Sequence, residues 1–182
     1  MDGRHMDLSV EVILNDAALR YCEQYRKTFT NKLTNPERVT REDEQYDSKL
    51  AEVAVAKYVG MDFNVFDKLA KSTEDYDVLA ERGMRGDVKS SNKINGNTLF
   101  WPVKKIDEYD KRWFDFLVFC NTYRCPIIEI RGWTWKQEFR EFHETAGCGD
   151  KLIAGTWFWS RPFRDPVLLT EGLFSKGVRP PV

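Results

Sequence analysis

An almost uninterrupted apolar run from Trp113 to Cys120 constrains the fold of this chain more than any other segment. Such a run predicts a β-strand that is buried on both faces, as in the interior of an α/β sheet. The segment from Pro126 to Arg131 predicts a further strand, in which Ile128 and Ile130 share one face. The sequence therefore predicts an α/β fold with a central mixed sheet of four to five strands flanked by helices.

Composition is that of a single globular domain. The chain has 182 residues, of which 42% are hydrophobic and 31% charged, and its net charge is -1. A chain of this length forms a core without needing disulfides or a metal. It contains no run of about 18 apolar residues that could cross a membrane, and it lacks a basic-then-apolar secretion signal at its start. We therefore expect a cytoplasmic protein with no membrane partner.

Carboxylates are the main metal ligands that the chain offers. Its four cysteines form no CxxC pair and it has two histidines, so a zinc cluster has almost no ligands to draw on. Acidic residues are in excess over residues 1–87, and Lys and Arg are in excess over residues 88–136. This distribution is compatible with a carboxylate metal site beside a phosphate-binding surface, and also with ordinary variation of surface charge.

The chain divides into three predicted segments. Residues 1–6 are interpreted as a cloning remnant, because Gly-Arg-His-Met before a second start is typical of expression vectors. Residues 7–45 are predicted to form an N-terminal helical extension, in which Asn15 caps a helix. Residues 46–182 are predicted to form the core and a closing C-terminal segment.

A carboxylate lies on the apolar face of the second predicted helix, which runs from about Ser48 to Val59 and ends at Gly60. At helical spacing Glu52 shares this face with Val55 and Val59. An ionised carboxylate in apolar surroundings needs a cation, a metal or a hydrogen-bond donor nearby. The alternative is a glutamate at the edge of the face that pairs with a surface lysine.

Two short strand-like segments, Tyr76–Ala80 and Asp87–Ser91, are joined by a glycine-containing linker and predict a hairpin. Alternation along the second strand places Asp87 and Lys89 on one face, towards which Asp77 can project across the hairpin. Metal-assisted phosphodiester cleavage requires such a set, because hard oxygen ligands hold Mg²⁺ and a lysine orients the attacking water. The alternative is a solvated hairpin with an ordinary cross-strand ion pair.

The acid-x-Lys pattern occurs twice, in Asp47-Ser-Lys49 and in Asp87-Val-Lys89. Two copies are about the number expected by chance in this composition. Only the second copy is predicted to lie in a strand, after Asp77 and after the helix that carries Glu52. The context therefore favours the second copy as the site, and Lys49 is expected to have no part in it.

This order of motifs resembles the PD-(D/E)xK nuclease superfamily, in particular its restriction-endonuclease-like and phage-type members. The shared features are an acid on a helix, an Asp before an apolar pair, and Asp-x-Lys on the next strand. The resemblance covers roughly residues 46–160. One position departs from it, because Tyr76 stands before Asp77 where the family has Pro. Asp75 has the same parity as Asp77 and is the reserve candidate for its role.

The resemblance implies a restriction-endonuclease-like core and the activity of a Mg²⁺-dependent deoxyribonuclease, expected to be an endonuclease. It implies that Asp77, Asp87 and the backbone carbonyl of Val88 bind Mg²⁺, for which Mn²⁺ can substitute. Lys89 would act on the attacking water, and Glu52 would complete the metal site directly or through water. DNA is the expected partner, and a homodimer would suit cleavage of both strands of a duplex.

Four polar residues follow this predicted site and could hold the phosphates on either side of the cut. They are Ser90, Ser91, Asn92 and Lys93. A polar strand end followed by a turn is an equally compatible interpretation.

Two other function classes stay open. One is a nuclease-like module that binds DNA or a protein without cutting, and the other is a structural or inhibitory protein whose acidic first half binds a basic partner. The tryptophans do not separate these classes, because Trp113, Trp135 and Trp157 are expected in the core rather than on a base-stacking surface.

Overall fold

The structure, a computed structural model, describes residues 9–30, 42–61, 76–80, 83–93, 99–102, 106–145 and 156–159. The helices are Asp16–Thr30 (α1), Glu42–Tyr58 (α2), Ile106–Lys111 (α3) and Lys136–Thr145 (α4). The strands are Val10–Ile13 (β1), Val78–Leu79 (β2), Arg85–Ser91 (β3), Leu99–Pro102 (β4), Phe116–Asn121 (β5), Ile127–Trp135 (β6) and Thr156–Trp159 (β7).

Five of these strands form one mixed sheet in the order β1-β6-β5-β3-β2. Strands β3 and β5 run parallel, whereas the other neighbouring pairs in this sheet are antiparallel. Strands β4 and β7 pair in a separate two-stranded sheet. The predicted α/β class and the mixed sheet of four to five strands are confirmed. None of the described helices is both long and apolar enough to cross a membrane.

The central strand β5 is the one that the apolar run predicts. All of its residues from Phe116 to Asn121 are buried, between β3 and β6. The strand begins at Phe116 rather than at Trp113, which is 65% exposed. The prediction of a core position was therefore wrong for Trp113 and is confirmed for Trp135, which is buried. The side chain of Trp157 lies outside the described residues.

Strand β6 is longer than predicted, because it continues past Arg131 to Trp135. Phe119 pairs with Gly132 while Cys120 pairs with Ile130, so the ladder skips Arg131 at this point. This irregularity of the bulge type lets strand pairing resume beyond the glycine.

Helix α2 packs across the sheet on β3 and β6 and carries Glu52. It ends directly before the turn at Gly60, as predicted, but it begins at Glu42 rather than near Ser48. Before it, α1 begins with the predicted cap, since Asn15 Oδ1 accepts a hydrogen bond from Ala18 N at 3.0 Å.

Strands β2 and β3 form the predicted hairpin. The backbone N–H of Asp77 donates to the carbonyl of Gly86 at 2.8 Å. Strand β3 begins at Arg85 rather than at Asp87, because Gly86 is a strand residue and not part of the turn. A Cβ atom on Gly86 would overlap the ring of Phe116 on β5, so this glycine allows the two strands to pack closely.

Candidate functional site

Three elements bring the predicted site residues together. Glu52 comes from α2, Asp77 directly precedes β2, and Asp87 and Lys89 lie on β3. Helix α2 packs on β3, Asp77 is hydrogen-bonded to Val88 of β3, and Lys89 lies at Asp87, so the four residues belong to one region, which we call the carboxylate cluster. Burial raises the pKa of the Asp77 carboxyl most, the charges of Glu52 and Asp87 raise it further, and Lys89 lowers it.

The Asp87 carboxylate is buried between two cations. Its Oδ2 atom lies 2.5 Å from Lys89 Nζ, and its Oδ1 atom lies 3.7 Å from Arg112 Nη1. Oδ2 accepts no hydrogen bond from the described residues, although it is ion-paired with Lys89. A buried carboxylate oxygen in this condition is a favourable place for a further donor or cation.

The Asp77 carboxylate is fixed against the neighbouring strand. Its Oδ2 atom accepts a hydrogen bond from the backbone N–H of Val88 at 2.8 Å. Burial raises the pKa of Asp77 well above its usual range, and the nearby charges of Glu52 and Asp87 add to this effect. Lys89 and the Val88 N–H oppose the shift without cancelling it. Asp77 therefore takes up a proton at higher pH than an ordinary aspartate does.

Glu52 is paired within its own helix. Lys49 Nζ lies 2.5 Å from Glu52 Oε2, and the side chains are 4% and 15% exposed respectively. Burial raises the pKa of Glu52, and the charge of Lys49 opposes that shift. The structure confirms the expectation that Glu52 has a cation nearby. This cation is the buried Lys49 and not a surface lysine.

Two residues of this region are missed by reasoning from sequence. Lys49 was expected to have no part in the site, although its position three residues before Glu52 is a signal that the two side chains share a helix face. Arg112 follows α3, and its sequence position carries no signal that connects it with β3. Only the fold brings its guanidinium to Asp87.

The four polar residues that follow the cluster lie beside the start of α2. Together with Asp47 and Ser48, they line a surface cavity of about 320 Å³. Asn92 Nδ2 donates to Asp47 Oδ2 at 2.8 Å, and Lys93 N donates to Ser91 Oγ at 3.4 Å. The cavity therefore offers hydroxyl, amide and ammonium groups together with one carboxylate.

The described part of the chain contains no preformed metal centre. No group of three or more His, Cys, Asp or Glu side chains there has the arrangement of a metal site. The reserve candidate Asp75 lies outside the described residues. The cluster can bind a cation through its carboxylates or a phosphate through Lys89 and Arg112. Comparison with family models, with curated proteins and with solved structures finds no match to this chain.

Proposed function

We propose that this chain is a Mg²⁺-dependent deoxyribonuclease with a restriction-endonuclease-like core, and that Glu52, Asp77, Asp87 and Lys89 form its active site. The observation that carries the proposal is the buried Asp87 carboxylate, whose Oδ2 atom accepts no hydrogen bond from the described residues although Lys89 Nζ lies 2.5 Å away. A second carboxylate, that of the partly buried Asp77, lies within electrostatic reach of it. Oxygens of this kind are the ligands that a hard divalent cation takes.

The donor set fits Mg²⁺ by its chemistry. Proteins usually hold Mg²⁺ through one or two carboxylates while the ion keeps several waters, so a third acid in direct contact is not needed. Asp77 and Asp87 would hold the ion with the backbone carbonyl of Val88, and Glu52 would contribute directly or through water. A divalent cation also favours the ionised form of acids whose burial disfavours it. Mn²⁺ would substitute for Mg²⁺.

The side chains around the cluster supply the remaining chemistry. When bound, Mg²⁺ provides a water of lowered pKa and neutralises charge on the phosphate. Lys89 orients the attacking water or stabilises the negative charge that develops as the phosphodiester bond breaks. The guanidinium of Arg112 places a second positive charge beside the Asp87 carboxylate. In-line attack on phosphorus would release a 5′-phosphate and a 3′-hydroxyl.

The polar cavity beyond the cluster would position the substrate. Ser90 and Ser91 continue β3 past Lys89, and Asn92 and Lys93 follow them. Hydroxyl, amide and ammonium groups in this position would contact the backbone phosphates next to the cut without reading sequence.

A second candidate function is a nuclease-like module that binds DNA or a protein without cleavage. The pairing of the acids favours it, because Lys89 lies at Asp87 and Lys49 lies at Glu52. A cluster neutralised in this way is stable without catalysis.

The test is incubation of the purified chain with circular and linear DNA, with and without Mg²⁺ or Mn²⁺. We expect the circle to be opened only when a metal is present, and an Asp87→Asn variant to leave it intact. Cleavage of linear DNA alone would indicate an exonuclease. A wild-type protein that binds DNA but cleaves neither form would contradict the nuclease proposal and favour the binding module.

A further inference from the structure

Trp113 occupies an unusual position for a tryptophan, since it is 65% exposed and lies three residues before a fully buried strand. The guanidinium carbon of Arg85 lies 5.0 Å from the centroid of its ring. The same carbon lies 5.6 Å from the ring centroid of Tyr76. Arg85 thus contacts both aromatic rings and leaves most of the Trp113 surface to solvent. We call these three residues the Trp113 platform.

The Trp113 platform adjoins the carboxylate cluster. Tyr76 directly precedes Asp77, and Arg85 lies two residues before Asp87 on the same side of β3. Two residues of an extended strand span about 7 Å. On the other side, the Arg112 guanidinium that contacts Asp87 belongs to the residue before Trp113. The platform and the cluster therefore share neighbouring residues on β3 and after α3, so a strand held on the platform would also pass the cluster.

Three cations of the described residues lie beside the ring or within two sequence positions of Trp113, where they can contact the phosphates of a nucleic-acid strand. Arg85 and Arg112 are partly exposed, and Lys111 is exposed. Acids of the described residues lie in the same region as well, namely Asp77 and Asp87 of the cluster together with Asp110 and Asp115. The last two keep their negative charge although each has a hydrogen-bond or ion-pair partner. Asp115 Oδ2 accepts the backbone N–H of Arg85 at 2.7 Å, and Asp110 Oδ1 lies 3.1 Å from Arg140 Nε. An exposed aromatic ring flanked by cations suits the alternation of bases and phosphates in a nucleic-acid strand.

We infer that the Trp113 platform binds the base of an unpaired nucleotide, so that the substrate class of this site is single-stranded DNA. The inference rests on the proposed function. An exposed ring stacks on any base, because every base has an aromatic face. In a duplex these faces are covered by neighbouring bases, and exposing one costs unstacking energy. The platform therefore favours a single strand over a duplex of the same length.

Binding of a labelled thymidine oligonucleotide and of a duplex of the same length tests this inference, with Ca²⁺ in place of Mg²⁺. We expect Trp113→Ala to weaken single-strand binding by about 5- to 140-fold, the range that stacking of one base gives. Duplex binding should change little, and Trp113→Phe should recover part of the loss because it keeps an aromatic face. Ile13→Ala is the control, since Ile13 is 63% exposed on β1 at the opposite edge of the sheet.

A second readout does not depend on the alanine variant being folded. The oligonucleotide should quench tryptophan fluorescence in the wild type, and Trp113→Phe should lose most of that quenching. Unchanged single-strand affinity in a folded Trp113→Ala variant, or equal loss for single strand and duplex, would overturn the inference.

The outcome is separable from that of the nuclease proposal. If the wild type cleaves DNA but Trp113→Ala binds and cleaves single strands normally, the inference fails and the proposed function stands. If the variants show the expected loss of single-strand binding but the wild type cleaves nothing, the platform stands as a binding site and the nuclease proposal fails.

Discussion

The carboxylate of Asp77 is bound to the backbone of Val88, the residue between Asp87 and Lys89. A side chain at the start of one hairpin strand is thereby fixed against the acid-x-Lys segment of the other. The hydrogen bond brings two carboxylates to one place, where burial and mutual repulsion oppose the ionisation of Asp77. The folded chain thus holds the Asp77 and Asp87 carboxylates on the two arms of one hairpin.

Replacement of either acid by its amide should abolish metal-dependent cleavage. Asp77→Asn keeps an oxygen that can accept the Val88 N–H, and Asp87→Asn changes little volume, so both variants should fold. Each loses a charged metal ligand, which is the expected cause of inactivity. The measurement is DNA cleavage in Mg²⁺, with Ca²⁺ expected to bind yet support little turnover because its coordination geometry is loose.

Asp115→Asn is the matched control for these variants, because Asp115 also accepts a backbone N–H on β3, that of Arg85 at 2.7 Å. It should cleave like the wild type. Full activity in purified Asp77→Asn or Asp87→Asn would show that the active site has been placed on the wrong residues.

Lys89→Ala should separate catalysis from binding. If Lys89 acts on the transition state, its removal should lower the cleavage rate by roughly two orders of magnitude or more, as loss of one electrostatic stabiliser does. DNA affinity in Ca²⁺ should change little, because a single phosphate contact contributes only about one unit to the salt dependence. Normal turnover with strongly weakened binding would instead make Lys89 a positioning residue and would favour the binding module.

Lys49→Ala should destabilise the fold rather than act on the chemistry alone. The substitution leaves the buried Glu52 carboxylate without its cation, which should cost about 3 kcal/mol of unfolding free energy. Lys57→Ala on the same helix is the control, since Lys57 is exposed and donates to the Ile13 carbonyl. Its loss should cost about 1 kcal/mol or less. Urea unfolding measures both, and equal stability of the two variants would mean that the Lys49–Glu52 pair contributes little.

Asp77→Asn should also be more stable than the wild type at neutral pH without metal. A carboxyl whose pKa is higher in the folded than in the unfolded state costs stability above the unfolded pKa, and this cost grows as pH rises through the folded pKa. The variant should therefore have the higher Tm at pH 7, and the difference should shrink as pH falls towards about 4. The Tm should rise by roughly 2–4 °C for each kcal/mol of unfolding free energy that the substitution recovers.

Thermal unfolding across this pH range, with and without Mg²⁺, shows whether the Tm of Asp77→Asn is higher or lower than that of the wild type. Mg²⁺ should raise the Tm of the wild type at neutral pH and leave that of Asp77→Asn nearly unchanged, because only the wild type keeps both ligands. A lower Tm for the variant at neutral pH without metal would contradict the electrostatic account of the cluster.

The parts of the fold that could be predicted from sequence are those with a local signal. The apolar run around Phe116 predicts β5, and the alternation of side chains between two faces predicts β3. Asn15 predicts the start of α1, because its side chain caps the helix. Glu52 and Asp77 were placed at the cluster from the order of short motifs. The signals for the helices and strands are contained within a few neighbouring residues, and the order of the motifs can be followed along the chain, so no tertiary contact is needed to recognise either.

The errors arise where a distant contact decides the outcome. The end of β6 depends on a ladder irregularity at Arg131, which cannot be inferred from that strand alone. Trp113 continues an apolar run yet is covered only in part, by Arg85 from the hairpin. Arg112 joins the cluster because α3 ends near β3 in space. The hydrophobic pattern of a segment indicates whether it is buried, but it does not indicate which distant residues the segment contacts.

Gly86→Ala should test whether the close approach of β3 and β5 positions the acids. The added methyl group would overlap the ring of Phe116, which is fully buried and packed edge-on against Trp133. Overpacking of this kind typically costs about 1–3 kcal/mol. Because Gly86 precedes Asp87 and accepts the Asp77 N–H, displacement of this backbone should also lower cleavage activity.

Phe116→Leu combined with Gly86→Ala provides the decisive comparison. The smaller side chain makes room for the new methyl group, so the double variant should recover stability and activity relative to Gly86→Ala alone, while Phe116→Leu by itself should lose stability. Such non-additivity is expected only for residues in direct contact. Strictly additive effects on the unfolding free energy would mean that Gly86 does not set the spacing between these two strands.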